Sequence, residues 1–527
     1  MMRKDDRRPL AFVSGAVFII IFVIVYYHDP YRFYLLNSDP DLIYAYEALL
    51  VNDGQRQDLH DHTAYLYIVL LSMWIELWEF FGIIPVSKLS DVPPIGHAEP
   101  AIAAIVFSGR WLSAVLAGVL AVVIYLIARA ASVGRLIAGA GAVLAVLSAG
   151  VIYGALIMRP ELPAMIFALL SLLCLMTPPN VTTFQNFIRP CLAACFAWAA
   201  MMTKLQVVPI LLALPILAIV FMEKRDELGM PAWTAGRRLL AGLAIVGALA
   251  FSFPAAIMII GQIYISGMSG LYQTVIAIYV VFAASIYGLL ATGSCWRTVF
   301  GLLSILVGLA IAQYANLITD DVKNTFAMVN FIEHMSAFVD MKDLRTADKV
   351  IFESFVRIGS NISAILGAEF TDTRRFIVFP YQPLFWLVSV SLAVLILTQR
   401  LRPAFRVGAF FALALAMEAF CAVRGFSTKC FIFVEPWLLL AGVLAATEFF
   451  GDNPPWLAEK PRFAAGVRVA IVVIAVLLAV NAGRAAIAEK TWQPPVTACE
   501  QARGYLKQLP AYFEKYCLLG NKPEIRK

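Results

Sequence analysis

Apolar runs long enough to cross a bilayer recur along this chain and constrain its fold more than any other feature. A hydrocarbon core about 30 Å thick is crossed by about 20 helical residues. The chain is 61% hydrophobic and only 14% charged, against about 25% charged residues in soluble domains. Helices satisfy their own backbone hydrogen bonds in lipid, so these runs predict an all-α integral membrane protein. Thirteen such runs can be identified, at 10–27, 101–128, 136–157, 161–177, 190–203, 205–222, 239–263, 271–292, 298–316, 379–398, 407–423, 430–449 and 467–483.

A further apolar run, 63–85, is predicted to lie on the membrane surface as an interfacial helix. It contains Glu76, Glu79 and several aromatic residues, a pattern typical of helices at a bilayer interface. With a cytoplasmic N-terminus, this reading places most Lys and Arg residues inside, as membrane proteins require. Counting 63–85 as a span would instead place the basic segments 223–238 and 399–406 outside.

The predicted organisation is one transmembrane domain, residues 1–483, followed by a small extracytoplasmic segment, 484–527. Its first outer loop is 28–100, and a second outer loop, 317–378, is predicted to be helical because its apolar residues recur at helical spacing. The first apolar run follows a charged head without a small-residue cleavage site, so it is predicted to remain as a membrane span.

The first outer loop begins with the acidic stretch "NSDPDLIYAYEALLVNDG", which contains Asp39 and Asp41. A carboxylate held near a phosphate site can take a proton from an acceptor hydroxyl. The same residues also suit the start of a helix near Leu42, because Asp is a favoured capping residue and Pro40 fits a first turn. The two roles are compatible, and the spacing leaves both open.

Four basic residues lie at the outer ends of spans, where Lys and Arg are normally avoided. Each one alone is explained by a side chain that reaches toward the interface. Together with the acidic loop they indicate an anionic ligand at the outer leaflet, with a lipid phosphate as the natural candidate. Glu161 follows directly after one of them and is either a second acidic group of the site or a first-turn helix acid. The four are Arg159, Lys204, Arg424 and Lys429.

No cofactor is predicted. His60 and His62 stand two positions apart before the interfacial helix, and two histidines alone do not form a metal site. Asp39, Asp41 and Glu161 have the chemistry to hold Mg²⁺ or Mn²⁺, but a metal is not favoured. The eight cysteines show no metal-ligand spacing.

The order of the motifs resembles a known class of enzymes. The acidic loop and the His-containing start of a surface helix are followed by "GRWLSAVLAGVLAVV", "RPELPAMIFALLSLL", "MTKLQVVPIL" and, late in the chain, "RGFSTKCFIFVEPWLLLAG". This order is similar to that of the polyprenyl-phosphate-sugar-dependent glycosyltransferases of the GT-C class. The likeness is greatest to the branch of bacterial lipid A aminoarabinose transferases and protein O-mannosyltransferases. It covers most of the chain, most clearly 28–222 and 420–450.

The resemblance implies a GT-C fold of about thirteen spans, juxtamembrane helices in the first outer loop, and a donor site open to the outer leaflet. The first-loop Asp of these enzymes is the catalytic base, and both Asp39 and Asp41 match it loosely. The closest branch works without a metal. The chain departs from the pattern where Asp39-Pro40-Asp41 replaces an Asp-Glu pair and His60-Asp61-His62 replaces a His-Pro-Pro sequence.

The remaining site residues follow from the same resemblance. Glu161 matches a second acidic position, and Tyr44, His60 and His62 are predicted to contact the substrate. The predicted donor-phosphate residues are Lys204, Arg424 and Lys429, with Arg159 beside them.

The sequence therefore predicts a glycosyltransferase of the bacterial plasma membrane with its site facing outward. It would move a sugar from a polyprenyl-phosphate donor to a lipid or glycan of the cell envelope by an inverting single displacement. The alternative is a lipid or glycan transporter or flippase, which typically has polar residues at mid-membrane, broken helices and internal repeats. The apolar runs here are nearly free of charge at their centres, with Glu418 as the main exception. No nucleic-acid partner is predicted, because the basic residues occur in small groups.

The distribution of Lys and Arg predicts that the segment after the last run lies outside the cytoplasm. A periplasmic reporter fused after Lys527 is expected to be active, whereas the same reporter fused within the inner segment 399–406 is expected to be silent. Activity of a cytoplasmic reporter at Lys527 would contradict this topology.

Cys499 and Cys517 are predicted to form a disulfide in the outer C-terminal segment. They lie eighteen positions apart, and closing a loop of that size contributes about 3 kcal/mol to stability. The alternative is a pair of free thiols. Mass spectrometry of the protein alkylated without reductant is expected to show both cysteines unlabelled, and labelling of both would exclude the bridge.

Overall fold

The computed structural model describes residues 7–27, 41–55, 64–93, 99–176, 183–221, 245–254, 295–319, 382–422 and 431–450, with a few isolated residues between them. Within these ranges every regular element is a helix. The helices are α1 (Arg7–Tyr27), α2 (Asp41–Asn52), α3 (Tyr65–Phe80), α4 (Glu99–Ala130), α5 (Arg135–Val146), α6 (Ala149–Leu156), α7 (Glu161–Leu175), α8 (Thr183–Thr203), α9 (Val208–Val220), α10 (Cys295–Thr319), α11 (Gln382–Leu397), α12 (Leu401–Ala422) and α13 (Phe431–Phe450).

The predicted all-α membrane architecture is confirmed in the described ranges. Shorter apolar helices occupy five further predicted runs, including Ile245–Pro254. The count of thirteen spans stays a prediction, since the runs 271–292 and 467–483 lie almost entirely outside the described residues. The loop 317–378 and the segment 484–527 lie largely or wholly outside them as well. Five helices are long and apolar enough to cross a membrane: Arg8–Tyr27, Pro100–Ala130, Thr298–Ala315, Leu401–Cys421 and Phe431–Phe449.

The run 136–157 is bent. It forms α5 and α6, whose axes differ by 52° at a break of two residues. Ser148 at the break has an extended backbone with φ −74° and ψ 147°. Hydropathy depends on composition, which does not change across the break, so the apolar run alone does not indicate the bend.

Helices α2 and α3 form a compact unit packed on α4. Helix α2 is buried from Asp41 to Leu50. Its last residue, Asn52, donates through Nδ2 to the backbone oxygens of Ser72 and Ser87, at 3.2 and 3.0 Å. Gly54 follows with φ +68°, a left-handed conformation that ends helices and favours glycine. These contacts fix α2, and with it Asp41, against the membrane helices.

Helix α3 has the two-sided character expected of a helix at a membrane surface. Ile68, Leu71 and Ile75 are buried against α2 and α4, whereas Met73 and Phe80 on the opposite side are exposed. With 16 residues α3 is shorter than the helices that qualify as spans. These observations fit the predicted interfacial helix.

Among the five candidate membrane spans, α13 is the most enclosed. All residues from Phe431 to Ala445 are buried, and the helix packs against α5, α6, α11 and α12. Its first turn therefore lies beside the break between α5 and α6.

Candidate functional site

Asp41 is the centre of a buried polar cluster at the start of α2. Its side chain is fully buried, and its Oδ2 accepts a hydrogen bond from Arg110 Nε at 2.8 Å. Its Oδ1 accepts the backbone N–H of Met158 at 3.0 Å. The two partners come from α4 and from the segment after α6, so one carboxylate joins three parts of the chain.

Arg110 is the single charged residue of the apolar run 101–128 and lies on α4. A guanidinium buried among apolar residues needs an anionic partner, because its transfer from water is unfavourable. Asp41 supplies that partner, and Arg110 is itself only 2% exposed.

The segment between α6 and α7 carries most of the remaining site. It is short and largely extended: Ile157 has φ −137° and ψ 159°, Met158 donates to Asp41, and Pro160 precedes the first turn of α7. Glu161 opens α7, where a carboxylate is favoured by the helix dipole. The predicted acidic residues Asp41 and Glu161 therefore belong to one continuous cluster.

Glu161 and Lys204 form an ion pair across the start of α7 and the end of α8. Lys204 Nζ lies 3.3 Å from Glu161 Oε1, and the two side chains are 12% and 8% exposed. Arg159 turns toward Tyr153 instead, with Nη2 3.4 Å from the phenolic oxygen and the guanidinium 5.8 Å from the ring centre. Both predicted cations thus lie at the same end of the helices as Asp41, each already engaged with a side chain.

Tyr67 on α3 connects these groups electrostatically. It is fully buried, and burial raises the pKa of its phenol above the ordinary value. The Asp41 and Glu161 carboxylates raise the pKa further, whereas Ser113 and Arg159 lower it. The hydroxyl therefore stays protonated at physiological pH and is available as a hydrogen-bond donor inside the cluster.

Tyr44 has a supporting position in this arrangement. Its ring is 2% exposed and meets Tyr67 edge to face, with 5.5 Å between ring centres and 81° between planes. The sequence predicts Tyr44 as a substrate contact, and the structure shows it holding Tyr67 in place. Edge-to-face packing of this kind contributes about 0.5–1.5 kcal/mol beyond buried area.

The structure thus brings together Asp41, Arg159, Glu161 and Lys204, which the sequence predicts as site residues. The other predicted site residues, Asp39, His60, His62, Arg424 and Lys429, lie outside the described residues, as do Cys499 and Cys517. Sequence reasoning missed Arg110 and Tyr67. A signal for Arg110 exists, because it is a single cation within the apolar run 101–128.

In the described part of the chain, His, Cys, Asp and Glu side chains form no group of three or more that could hold a metal ion. Asp41 and Glu161 each face a cationic side chain, Arg110 and Lys204 respectively. Each of these two carboxylates is therefore balanced by one basic side chain.

Basic residues at the opposite ends of the helices have a different role. Arg129 donates to the backbone oxygen of Val133, and Arg189 donates to those of Leu173 and Met176 at the end of α7. Such contacts satisfy carbonyl groups that a helix end leaves open. The acid–base cluster is thus a feature of the Asp41 side of the molecule.

The sequence matches no protein-family model and no curated protein. The fold is similar to that of the Archaeoglobus fulgidus oligosaccharyltransferase in the apo form, with a TM-score of 0.45, 13% identity and coverage of 97% of this chain and 60% of that chain. The same enzyme tethered by a disulfide to an acceptor peptide containing the NVT sequon gives a TM-score of 0.44, 13% identity and coverage of 95% and 58%. The chain spans about 60% of the length of that protein. This likeness assigns neither a family nor an activity to the chain.

The Asp41–Arg110 pair is expected to stabilise the fold strongly because it is buried. Arg110→Leu leaves a buried carboxylate without its cation and should lower the free energy of unfolding by about 3–5 kcal/mol. The double variant Arg110→Leu, Asp41→Asn removes both charges, keeps an oxygen for the Met158 N–H, and should recover part of this loss. Denaturant unfolding in detergent micelles measures both effects.

The matched control is the ion pair between Arg400 and Glu448, whose side chains are 30% and 27% exposed. Arg400→Leu should cost about 0–1 kcal/mol, because water and salt screen exposed pairs. Equal losses for Arg110→Leu and Arg400→Leu would show that burial does not strengthen the Asp41 contact.

Proposed function

We propose that this protein is a glycosyltransferase with a GT-C fold that moves a sugar from a polyprenyl-phosphate donor to an envelope lipid or glycan. The reaction takes place on the extracytoplasmic face of a bacterial plasma membrane. The observation that supports this best is the convergence of buried acids and bases at one end of the helices. Asp41, Glu161, Arg110, Arg159 and Lys204 come from separate parts of the chain and meet around the segment before α7.

Asp39 is the catalytic base in this proposal, and Asp41 anchors it. Both oxygens of Asp41 already accept hydrogen bonds, one of them from Arg110. Asp39 lies two residues before this fixed point in the sequence. A base positioned by a rigid neighbour meets the requirement that the group lie within hydrogen-bond reach of the proton it removes.

The cations bind the donor phosphate in this proposal. Lys204 and Arg159 lie on the same side of the described structure as Asp41, and Arg424 and Lys429 precede α13 in the sequence. Phosphate oxygens accept strong charge-assisted hydrogen bonds from such groups. Lys204 is held at this end by Glu161, so the ion pair keeps the ammonium near its ligand before the donor arrives.

The reaction is a single displacement at the anomeric carbon. The acceptor hydroxyl gives its proton to the Asp39 carboxylate while its oxygen forms a bond to that carbon. The bond from the carbon to the phosphate oxygen breaks, and the polyprenyl phosphate leaves with the electron pair. Lys204, Arg424 and Lys429 stabilise the negative charge that grows on the leaving phosphate, and the sugar configuration is inverted.

The substrate contacts of the proposal are His60 and His62. Tyr44 supports the site indirectly, because its ring packs on Tyr67. Tyr67 keeps its proton and can donate to a sugar or phosphate oxygen.

One observation favours a second candidate, a lipid or glycan transporter. Broken spans often form substrate sites in transporters, with the start of a half-helix facing an anionic group. Here the start of α6 already holds the Glu435 carboxylate, which accepts the Gly150 N–H at 2.9 Å. The enzyme proposal is therefore preferred over the transporter, because it assigns roles to the acids and bases around Asp41. Formation of a new glycosidic bond in proteoliposomes distinguishes the enzyme from movement of an unchanged lipid.

Asp39→Asn is expected to abolish sugar transfer while donor binding stays normal, because it removes the base without touching the phosphate site. Asp41→Asn is expected to lower both stability and turnover, because it weakens the anchor. Transfer of radiolabelled sugar and equilibrium binding of the donor, each with purified protein, measure these effects. Normal transfer by folded Asp39→Asn would contradict the assignment of the base and direct attention to Glu161.

Lys204→Ala is expected to weaken donor binding about ten- to hundredfold, the worth of a charge-assisted contact of about 1.5–3 kcal/mol. It should be made together with Glu161→Gln, so that no unpaired carboxylate is left buried. The controls are Glu161→Gln alone and Lys88→Ala, a change at an exposed lysine between α3 and α4. Equal donor affinity in the wild type, the double variant and both controls would exclude Lys204 from the phosphate site.

A further inference from the structure

The break between α5 and α6 leaves backbone groups that need partners. The first N–H groups of a helix have no acceptor within it, and in a membrane water does not supply one. Ser148 occupies the capping position, but its hydroxyl donates to the backbone oxygen of Ala145 at 2.8 Å and makes no capping bond to α6. Another group must therefore accept hydrogen bonds at this helix start.

Glu435, the fifth residue of α13, is that group. Its side chain is 2% exposed, and Oε2 accepts the Gly150 N–H at 2.9 Å. Ser148 and the backbone N–H of Ala149 lie beside the same carboxylate. A negative charge at this position also complements the positive end of the helix dipole. The cap of α6 thus comes from a residue 285 positions later in the chain.

Gly150 allows the two helices to approach closely enough for this contact. A Cβ atom there would lie 2.6 Å from the Ile432 backbone nitrogen and 2.8 Å from Glu435 Oε2. Both distances are too short for a side chain, so α6 and α13 meet backbone to backbone at this point. The contact between α6 and α13 therefore depends on both the Glu435 carboxylate and the missing side chain at Gly150.

The other end of α6 leads into the acid–base cluster. Helix α6 has 8 residues and is about 12 Å long, so it acts as a short rod. Two residues after its last residue, the Met158 N–H reaches Asp41, and Glu161 follows to pair with Lys204. A displacement at the capped end is transmitted to these contacts over a short distance.

We propose that Glu435 is a positioning residue for the acid–base cluster: by capping α6 it fixes the segment 157–161 against Asp41. The inference rests on the proposed function for its catalytic meaning.

The first test is backbone hydrogen exchange of the full-length protein in lipid nanodiscs. Glu435→Leu removes the acceptor and should speed exchange in peptides covering 149–161 by about tenfold, the worth of one cap. Peptides from α12 should not change. Glu435→Gln retains an oxygen acceptor and should stay near the wild-type rate. Gly150→Ala should reproduce Glu435→Leu, whereas Gly408→Ala, where a Cβ meets a Leu392 methyl at 3.7 Å, should not.

The second test is the kinetics of sugar transfer. Glu435→Leu and Gly150→Ala should lower kcat about tenfold with little change in donor KM, and Glu435→Gln should largely restore kcat. Wild-type exchange in Glu435→Leu, or rapid exchange with an unchanged kcat, would overturn the proposal. If Glu435→Leu does not fold, Gly150→Ala decides by the same criteria.

The exchange result does not depend on the chemistry assigned to the protein. A wild-type protein that transfers no sugar would contradict the proposed function alone. Faster exchange at 149–161 would then still support the positioning of this segment by Glu435, and unchanged exchange would refute it.

Discussion

A carboxylate away from water is stable only with partners, and Asp41 obtains them from two other parts of the chain. Arg110 supplies a charge and Met158 supplies a backbone N–H. Without Asp41, Arg110 would lose its buried carboxylate partner, which is unfavourable. The fixed positions of α2, α4 and the segment before α7 follow from this mutual requirement.

Glu161 and Lys204 meet the same requirement. Acids and bases away from water must be held in pairs. Their exposures of 8% and 12% leave both side chains partly accessible. Under the proposed function, this is where the lysine would meet the donor phosphate.

Much of this arrangement was predictable from the sequence. The helices follow from the length of the apolar runs, and Arg159, Glu161 and Lys204 stand out because they interrupt those runs at their ends. Which partner each residue takes was not predictable, since Asp41 and Met158 are 117 positions apart. Local spacing carries no information about a contact of that kind.

The groups that sequence reasoning missed lie inside apolar runs. Arg110 is the single charged residue of its apolar run, and Glu435 is one of two in the run 430–449, both runs having a high average hydropathy. Their partners come from other helices, so only tertiary structure identifies them. The break at Ser148 was not predicted for a related reason, because a change in backbone angle does not change the composition of the sequence.

The separation of 285 residues between Gly150 and Glu435 also has a consequence for biosynthesis. At a synthesis rate of about 5–20 residues per second, the ribosome needs roughly 15–60 s to travel from one residue to the other. Throughout that interval α6 is without its native cap, which forms only after Glu435 on α13 has been synthesised.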